Sequence, residues 1–285
     1  MSGTSTVSGS SLANNWTLTS GATPVFDQYF TSTTNVTIVP GGVSTVTGAT
    51  ASFAANGADT ISASVFTDQS SGGNTVTSLN SSAIFAAAND TISSAAASTV
   101  FGAGSGITHF LTSGANSSIT GGAGAIVGTA SGANATLVGG SNNALFTVTG
   151  ANSLAVAGTG SGVTGIDEST TTGAETITTN PLGNSGTLVA TLGSGADSVI
   201  GGGGASTITG GSGNDVYGFV DGHAGGSEVI LGFNATDNIA FSGYGYSLSN
   251  APAETVTTFD GIASDVITLS DGTTITLVGV DHKLF

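Results

Sequence analysis

The sequence lacks several residue types on which common protein functions depend. It contains no cysteine, which excludes disulfide scaffolds, zinc–thiolate sites and cysteine nucleophiles. Lys283 is the only lysine or arginine, against 17 Asp and Glu, and the formal net charge is -16. Binding to nucleic-acid phosphates or to anionic lipid needs clustered basic residues. We therefore expect no nucleic-acid partner.

Long apolar runs are also missing. No stretch approaches the ~18 apolar residues of a membrane-spanning helix, so we expect no insertion into a membrane. Residues 1–16 carry neither the basic nor the apolar region of a secretory signal peptide, so any export would use a route that does not read such a signal. Hydrophobic residues make up 38% of the chain, charged residues only 6%, and the mean hydropathy is +0.32. This composition favours ordered β-structure over disorder.

A short phrase recurs along the chain: Gly, a small residue, Asp or Asn, then Thr or Ser and an aliphatic residue. Asn116, Asn134 and Asn152 are evenly spaced, and the interval from Asp197 to Asp215 is the same. A fixed period is typical of stacked-repeat proteins. We predict an all-β fold, a parallel β-roll or β-helix solenoid with coils of about 18 residues. Earlier copies lie closer together, at Asp59, Asn74 and Asp90, and predict shorter coils there.

The residue in the repeated polar position changes along the chain. Residues 91–166 contain no Asp, Glu, Lys or Arg, and the repeat there carries Asn116, Asn134 and Asn152. Stacked amides can hydrogen-bond to one another, whereas stacked carboxylates repel unless a cation lies between them. We interpret the Asn and Asp positions as one equivalent slot, metal-free in the middle and metal-dependent near the C-terminus.

The segment 192–218 consists of three nonapeptides in register, LGSGADSVI, GGGGASTIT and GGSGNDVYG. Glycine turns expose backbone carbonyls, and Ca²⁺ prefers six or more oxygen ligands. Asp197 and Asp215 are one coil apart, so we expect them to share one Ca²⁺. The predicted metal-site residues are Asp197, Asp215, Gly193, Gly195, Gly211 and Gly213.

These nonapeptides resemble the calcium-binding repeats of the RTX (hemolysin-type) family. Residues 216–245 resemble the segment that closes RTX β-rolls, although Gly232 replaces the usual acid. Residues 266–285 resemble the uncleaved secretion region of proteins exported by type I secretion. The resemblance is specific over about 192–285. It implies a Ca²⁺ cofactor, the type I secretion machinery as a partner, and a secreted, extracellular or cell-surface location.

We predict four parts in the chain. Residues 1–50 form an N-terminal cap or docking segment, and residues 51–191 form a solenoid with Asn- and Thr-rich coils. Residues 192–245 form the RTX-like calcium-binding β-roll. Residues 246–285 form a C-terminal cap with the secretion-like region.

No motif indicates catalysis. There is no His-Glu-x-x-His or Gly-x-Ser-x-Gly pattern, and the adjacent Asp167 and Glu168 would point to opposite sides of a strand. We expect no catalytic residues and no enzyme. The predicted function is a secreted calcium-binding structural protein that self-assembles into an extracellular filament, layer or biofilm matrix. The alternative is a surface adhesin or an ice- or glycan-binding β-solenoid module.

Overall fold

The computed structural model describes residues 81, 83–179, 186–201, 203–222, 226–247 and 249–285, and before residue 81 only the strands. Side chains are described from residue 75 onward. Within these residues every regular element is a β-strand, and none is a helix long and apolar enough to cross a membrane. The chain forms two compact units, Met1–Ala135 and Thr136–Phe285.

The first unit contains twelve of the described strands. They are β1 (Trp16–Leu18), β2 (Asp27–Tyr29), β3 (Val36–Ile38), β4 (Ser44–Phe53), β5 (Ala58–Asp68), β6 (Thr75–Ser78), β7 (Ala83–Phe85), β8 (Thr91–Ser94), β9 (Thr99–Phe101), β10 (Ile107–Thr112), β11 (Ser118–Thr120) and β12 (Ala125–Ala130).

The second unit contains the other fourteen described strands. They are β13 (Thr136–Val138), β14 (Ala144–Val148), β15 (Leu154–Val156), β16 (Val163–Asp167), β17 (Thr176–Thr178), β18 (Thr187–Thr191), β19 (Ser198–Gly201), β20 (Ala205–Thr209), β21 (Val216–Val220), β22 (Ser227–Leu231), β23 (Asn238–Ser242), β24 (Ala253–Phe259), β25 (Ile262–Thr268) and β26 (Thr274–Val278).

Strands in each unit alternate between two parallel stacks. In the first unit, β5, β6, β8, β10 and β12 pair in one stack, and β5, β7, β9 and β11 pair in the other. In the second unit, β14, β16, β18, β20 and β22 form the even stack, and β13, β15, β17, β19, β21 and β23 form the odd stack. Each coil therefore has two short strands and two turns.

The strand register confirms the predicted solenoid, with coils of about 18 residues. Ile107 pairs with Ala125, and Thr136 pairs with Leu154, so the partners in each pair are separated by the predicted period. Coils near the N-terminus are shorter, as predicted, because the interval between the paired Thr75 and Thr91 is smaller than that period. Some later coils are longer because their turns contain more residues.

The core is built from columns of paired inward residues in each stack. Strand residues alternate between buried and accessible, so the same side of every coil faces inward. In the odd stack the paired inward residues are Leu137, Ala155, Ile177, Val199 and Tyr217, all buried. Burying one large aliphatic side chain contributes about 1.5–3 kcal/mol, so each coil is stabilised mainly by the coils next to it.

The even stack ends with a change from parallel to antiparallel strand pairing. After β22 the chain leaves the stack and returns at β26, where Ser227 pairs in parallel with Thr274. β25 is antiparallel to β26, and β24 is antiparallel to β25. An antiparallel β24–β25 hairpin thus follows the last parallel pair.

Candidate functional site: a buried column of carboxylates

The three regularly spaced asparagines lie at turns, not in the core. Asn116, Asn134 and Asn152 are exposed and have φ of 61°, 56° and 59°. This left-handed backbone region is disfavoured for most residues, but Asn tolerates it. In the first unit, Asn134 Nδ2 donates to Asn116 Oδ1 at 3.3 Å. Stacked amides are therefore present in that unit, but on its outside.

The prediction that Asn and Asp occupy one slot is wrong. Asn134 lies two residues before its strand, β13, whereas Asp197 lies immediately before β19. The Gly132 turn has three residues before its strand, and the Gly195 turn has only two. The one-residue difference turns the Asp side chain inward and leaves the Asn side chain outside.

The residues immediately before the odd-stack strands form the acidic column. This column consists of Glu175, Asp197, Asp215 and Asp237, which precede β17, β19, β21 and β23. The first three side chains are buried, and Asp237 is half-buried. The nearest preceding coil in the same unit has the small, buried Ser153 at this position.

Backbone hydrogen bonds connect the acidic column from coil to coil. The Glu175 N–H donates to Asp197 Oδ1 at 2.8 Å, and the Asp197 N–H donates to Asp215 Oδ1 at 3.0 Å. The Asp215 N–H donates in turn to Asp237 Oδ1 at 3.0 Å. The Ser153 N–H donates to Glu175 Oε2. Each carboxylate therefore holds the preceding coil, which makes the column part of the stacking contact.

Burial raises the pKa of the three buried members of the acidic column. Desolvation is the largest cause of the raised pKa values of Glu175, Asp197 and Asp215, and accepted backbone hydrogen bonds oppose it. Neighbouring carboxylates add repulsion at Glu175 and Asp215. Because the chain has one lysine, no arginine and three histidines, most of these buried charges must be offset by N–H groups, protons or cations from solution.

The predicted metal-site glycines allow close stacking of the turns. A Cβ on Gly211 would lie 1.6 Å from the Gly193 carbonyl oxygen, and one on Gly213 would lie 1.5 Å from the Gly195 oxygen. A Cβ on Gly195 would lie 1.7 Å from the oxygen of Gly173. No side chain fits in such spaces, so glycine is required for the coils to approach.

Sequence reasoning missed the role of Glu168. Asp167 pairs with Thr147 and Thr191 in the even stack, and continuing that register places Glu168 between the buried Val148 and Leu192. Asp167 is exposed, which confirms that the two neighbours point to opposite sides. Every second residue of a strand faces the same side, so the inward Ile166 would have identified Glu168 as buried.

The burial of the Glu168 carboxyl group is not compensated by hydrogen bonds. It is completely buried, and neither carboxyl oxygen has a hydrogen-bond partner. Desolvation, followed by the charges of Glu175 and Asp197, raises the pKa of Glu168 to about 8. Asp197 Oδ2 is buried without a hydrogen-bond partner as well. The Gly193 N–H is near enough to lower the pKa of Asp197, but it does not reach hydrogen-bonding geometry with Oδ2.

The fit of the predicted Asp197–Asp215 pair to Ca²⁺ is partial. Asp215 Oδ1 accepts the Asp197 N–H, and Asp215 Oδ2 accepts the Gly211 N–H at 3.2 Å. Asp197 Oδ2 alone is unused within this pair. In the described part of the chain, no three acidic or histidine side chains converge closely enough to hold a metal ion.

The fold is an all-β parallel solenoid, and its second unit contains a column of acidic side chains beside an aliphatic core. Comparison with known protein families and with curated proteins finds no match to this chain. The RTX resemblance therefore rests on the residues of 192–285 themselves.

Proposed function

We propose that this chain is a secreted, calcium-stabilised structural protein of the RTX type whose solenoid self-assembles outside the cell. The observation that carries the proposal is the acidic column, three of whose four side chains are buried, in a chain whose only lysine or arginine is Lys283. Ca²⁺ would neutralise carboxylates that the chain cannot pair with basic side chains of its own. Type I secretion and the RTX resemblance belong to the same proposal.

Self-assembly is supported by a neutral, partly apolar surface. Copies of a chain with net charge -16 repel one another, so contacts between them favour surfaces without charge. In the first unit, β10 turns Ile107, His109 and Leu111 outward, and Leu111 is 54% exposed. Residues 91–166 contain no Asp, Glu, Lys or Arg, so β10 lies in an uncharged stretch.

A glycan-binding adhesin is the second candidate. In the second unit, a cavity of about 400 Å³ is lined by Phe241, Tyr246, Pro252 and Phe285, with Ser247 as a polar group. The rings of Tyr246 and Phe285 each lie 5.4 Å, centroid to centroid, from Phe241. Uncharged aromatic surfaces suit the apolar faces of sugar rings.

Electron microscopy of the full-length protein with and without calcium tests the proposal. We expect filaments or sheets in millimolar calcium and dispersed particles after chelation. Deleting residues 1–40, a segment of which the structure describes only β1, β2 and β3, is expected to leave a folded protein without long assemblies. Full-length protein that stays monomeric in calcium and binds a glycan array would support the adhesin instead.

A further inference from the structure

Among the buried carboxylate oxygens of the second unit that lack a hydrogen-bond partner, three belong to neighbouring coils. They are Glu168 Oε1, Glu168 Oε2 and Asp197 Oδ2. The Glu168 N–H donates to the Thr191 carbonyl oxygen at 2.8 Å, and the Gly193 turn packs on the Glu168 carbonyl oxygen, so Glu168 lies beside the turn that leads to Asp197. The charge of Asp197 also contributes to the raised pKa of Glu168. Buried carboxyl groups are normally hydrogen-bonded, so two neighbouring ones with unpartnered oxygens are unusual in a folded protein.

Among the residues that the structure describes, none donates a hydrogen bond to these three oxygens. Glu168 is flanked by the apolar Val148 and Leu192 in its register. Glu175 is nearby, but its two oxygens already accept the backbone N–H groups of Asn152 and Ser153. Its charge adds to the repulsion at this corner.

Other oxygen atoms lie next to the same corner of the coil. A Cβ on Gly193 would lie 2.3 Å from Thr171 Oγ1, 2.5 Å from the Thr171 carbonyl oxygen and 2.7 Å from the Glu168 carbonyl oxygen. The Gly193 turn therefore packs on an oxygen-rich loop, and Asp197 follows four residues later. Within this loop Thr171 Oγ1 donates to the Glu168 carbonyl oxygen at 3.0 Å, and the Thr171 carbonyl oxygen accepts the Ser194 N–H at 2.9 Å. Carboxylate, carbonyl and hydroxyl oxygens are the ligand set of hard divalent cations.

We propose that a divalent cation, with calcium as the best match, binds between Glu168 and Asp197, with the Thr171 loop completing its oxygen shell. This site rests on the proposed calcium-stabilised function but moves the ion away from the Asp197–Asp215 pair. Asp215 keeps its structural role, because both of its oxygens hold backbone N–H groups. Two carboxylates with backbone and hydroxyl oxygens make up the site, and a third acidic ligand is not required.

Glu168→Gln separates this site from the predicted pair. In chelator, the amide removes the need to bury a carboxyl group, so we expect this variant to melt at a higher temperature than the wild-type protein. In calcium, we expect its affinity by calorimetric titration to fall by about tenfold or more. The stabilisation that calcium gives the wild-type protein should be lost.

Two further variants keep the test decisive. Glu168→Leu matches the apolar neighbours and should also fold without a calcium response. Asp215→Asn is the control: it should melt lower in both conditions and still be stabilised by calcium. A Glu168→Gln protein with wild-type affinity, together with lost binding in Asp215→Asn, would overturn the proposed site.

The outcome separates this site from the proposed function. Calcium binding that survives Glu168→Gln contradicts the site alone and leaves calcium-dependent assembly standing. Calcium binding that requires Glu168, without assemblies in micrographs, supports the site and contradicts self-assembly. A wild-type protein that takes up no calcium and shows no thermal shift contradicts both.

Discussion

Asp215 Oδ1 accepts the backbone N–H of Asp197, the residue one coil earlier, at 3.0 Å. This bond turns an acidic side chain into a spacer between coils. The same contact joins Glu175 to Asp197 and Asp215 to Asp237. The column is therefore a repeated backbone contact as well as a row of charges.

Replacing Asp215 by Asn should destabilise the fold. The amide can keep one accepted bond, but its NH₂ group would then face the second donor, the Gly211 N–H. We expect a loss of about 1–3 kcal/mol in the free energy of unfolding, measured with urea. Asp221→Asn, at an exposed position, is the control and should change stability little. Equal stability of the two variants would contradict the spacer role.

Gly211→Ala should be more damaging than an ordinary glycine substitution. The new methyl group would lie 1.6 Å from the Gly193 oxygen, so the coils would have to separate. We expect a loss of about 3 kcal/mol or more. Gly104→Ala is the matched control, because nothing lies within 4 Å of its Cβ, and its effect should stay within about 0.5 kcal/mol. Thermal melts of both variants compare them directly.

The left-handed backbone conformation of Asn134 favours asparagine or glycine at this position. Asn134→Ala should cost about 1 kcal/mol, because alanine at a φ of 56° is strained and the bond to Asn116 is lost. Asn134→Gly relieves the strain and should be nearly neutral. Asn134→Asp should be tolerated, since the side chain is exposed and its charge is solvated. Urea titrations of the three variants would contradict this account if Gly were as destabilising as Ala.

Asp265 gives the stability of the second unit a measurable pH dependence. Burial, followed by the charge of Glu254, raises the pKa of Asp265 to about 6, above the ~3.9 expected in the unfolded chain. The native state then binds more protons between pH ~4 and ~6, so stability rises as the pH falls through this window.

Asp265→Asn should therefore raise Tm at pH 7.5 by about 2–4 °C. The change in Tm between pH 5 and 7.5 should be smaller in this variant than in the wild-type protein. Asp281→Asn, whose side chain is 79% exposed, should leave both unchanged. An unaltered pH slope in Asp265→Asn would exclude this residue as the cause.

Leu111→Asp tests the neutral surface on β10. A new carboxylate there should shift assembly in calcium toward dispersed particles, as judged by sedimentation, while the melting temperature stays near that of wild type. Ile262→Asp is a control of similar exposure, 51% against 54%, on β25 of the other unit. If both variants assemble like the wild type, β10 is not a contact surface.

The period of the repeat was sufficient to predict the solenoid, because coil length is visible as the spacing of Gly, Asn and Asp. The inward direction of Asp197 was not readable from that spacing. A turn shorter by one residue reverses which side chain faces the core, and the Gly-Ala-Asn and Gly-Ala-Asp phrases look alike in the sequence.

The candidate site was predictable only in part. The nonapeptides identified Asp197, whose Oδ2 lacks a partner, but the neighbour that shares this corner, Glu168, lies outside them. Their proximity depends on how loops of unequal length stack, and a turn that contains Thr171 and Gly173 separates Glu168 from the next strand. Spacing within one repeat carries no information about such a contact.

The antiparallel β24–β25 hairpin covers the edge of the last parallel strand in the even stack of the second unit. A bare parallel strand at β26 could template another parallel strand from a second molecule. β25 occupies that edge in the opposite orientation, so the parallel register stops there. A strand added on this side would meet the antiparallel edge of β24, so an assembly that extends by parallel pairing of coils could not continue through it.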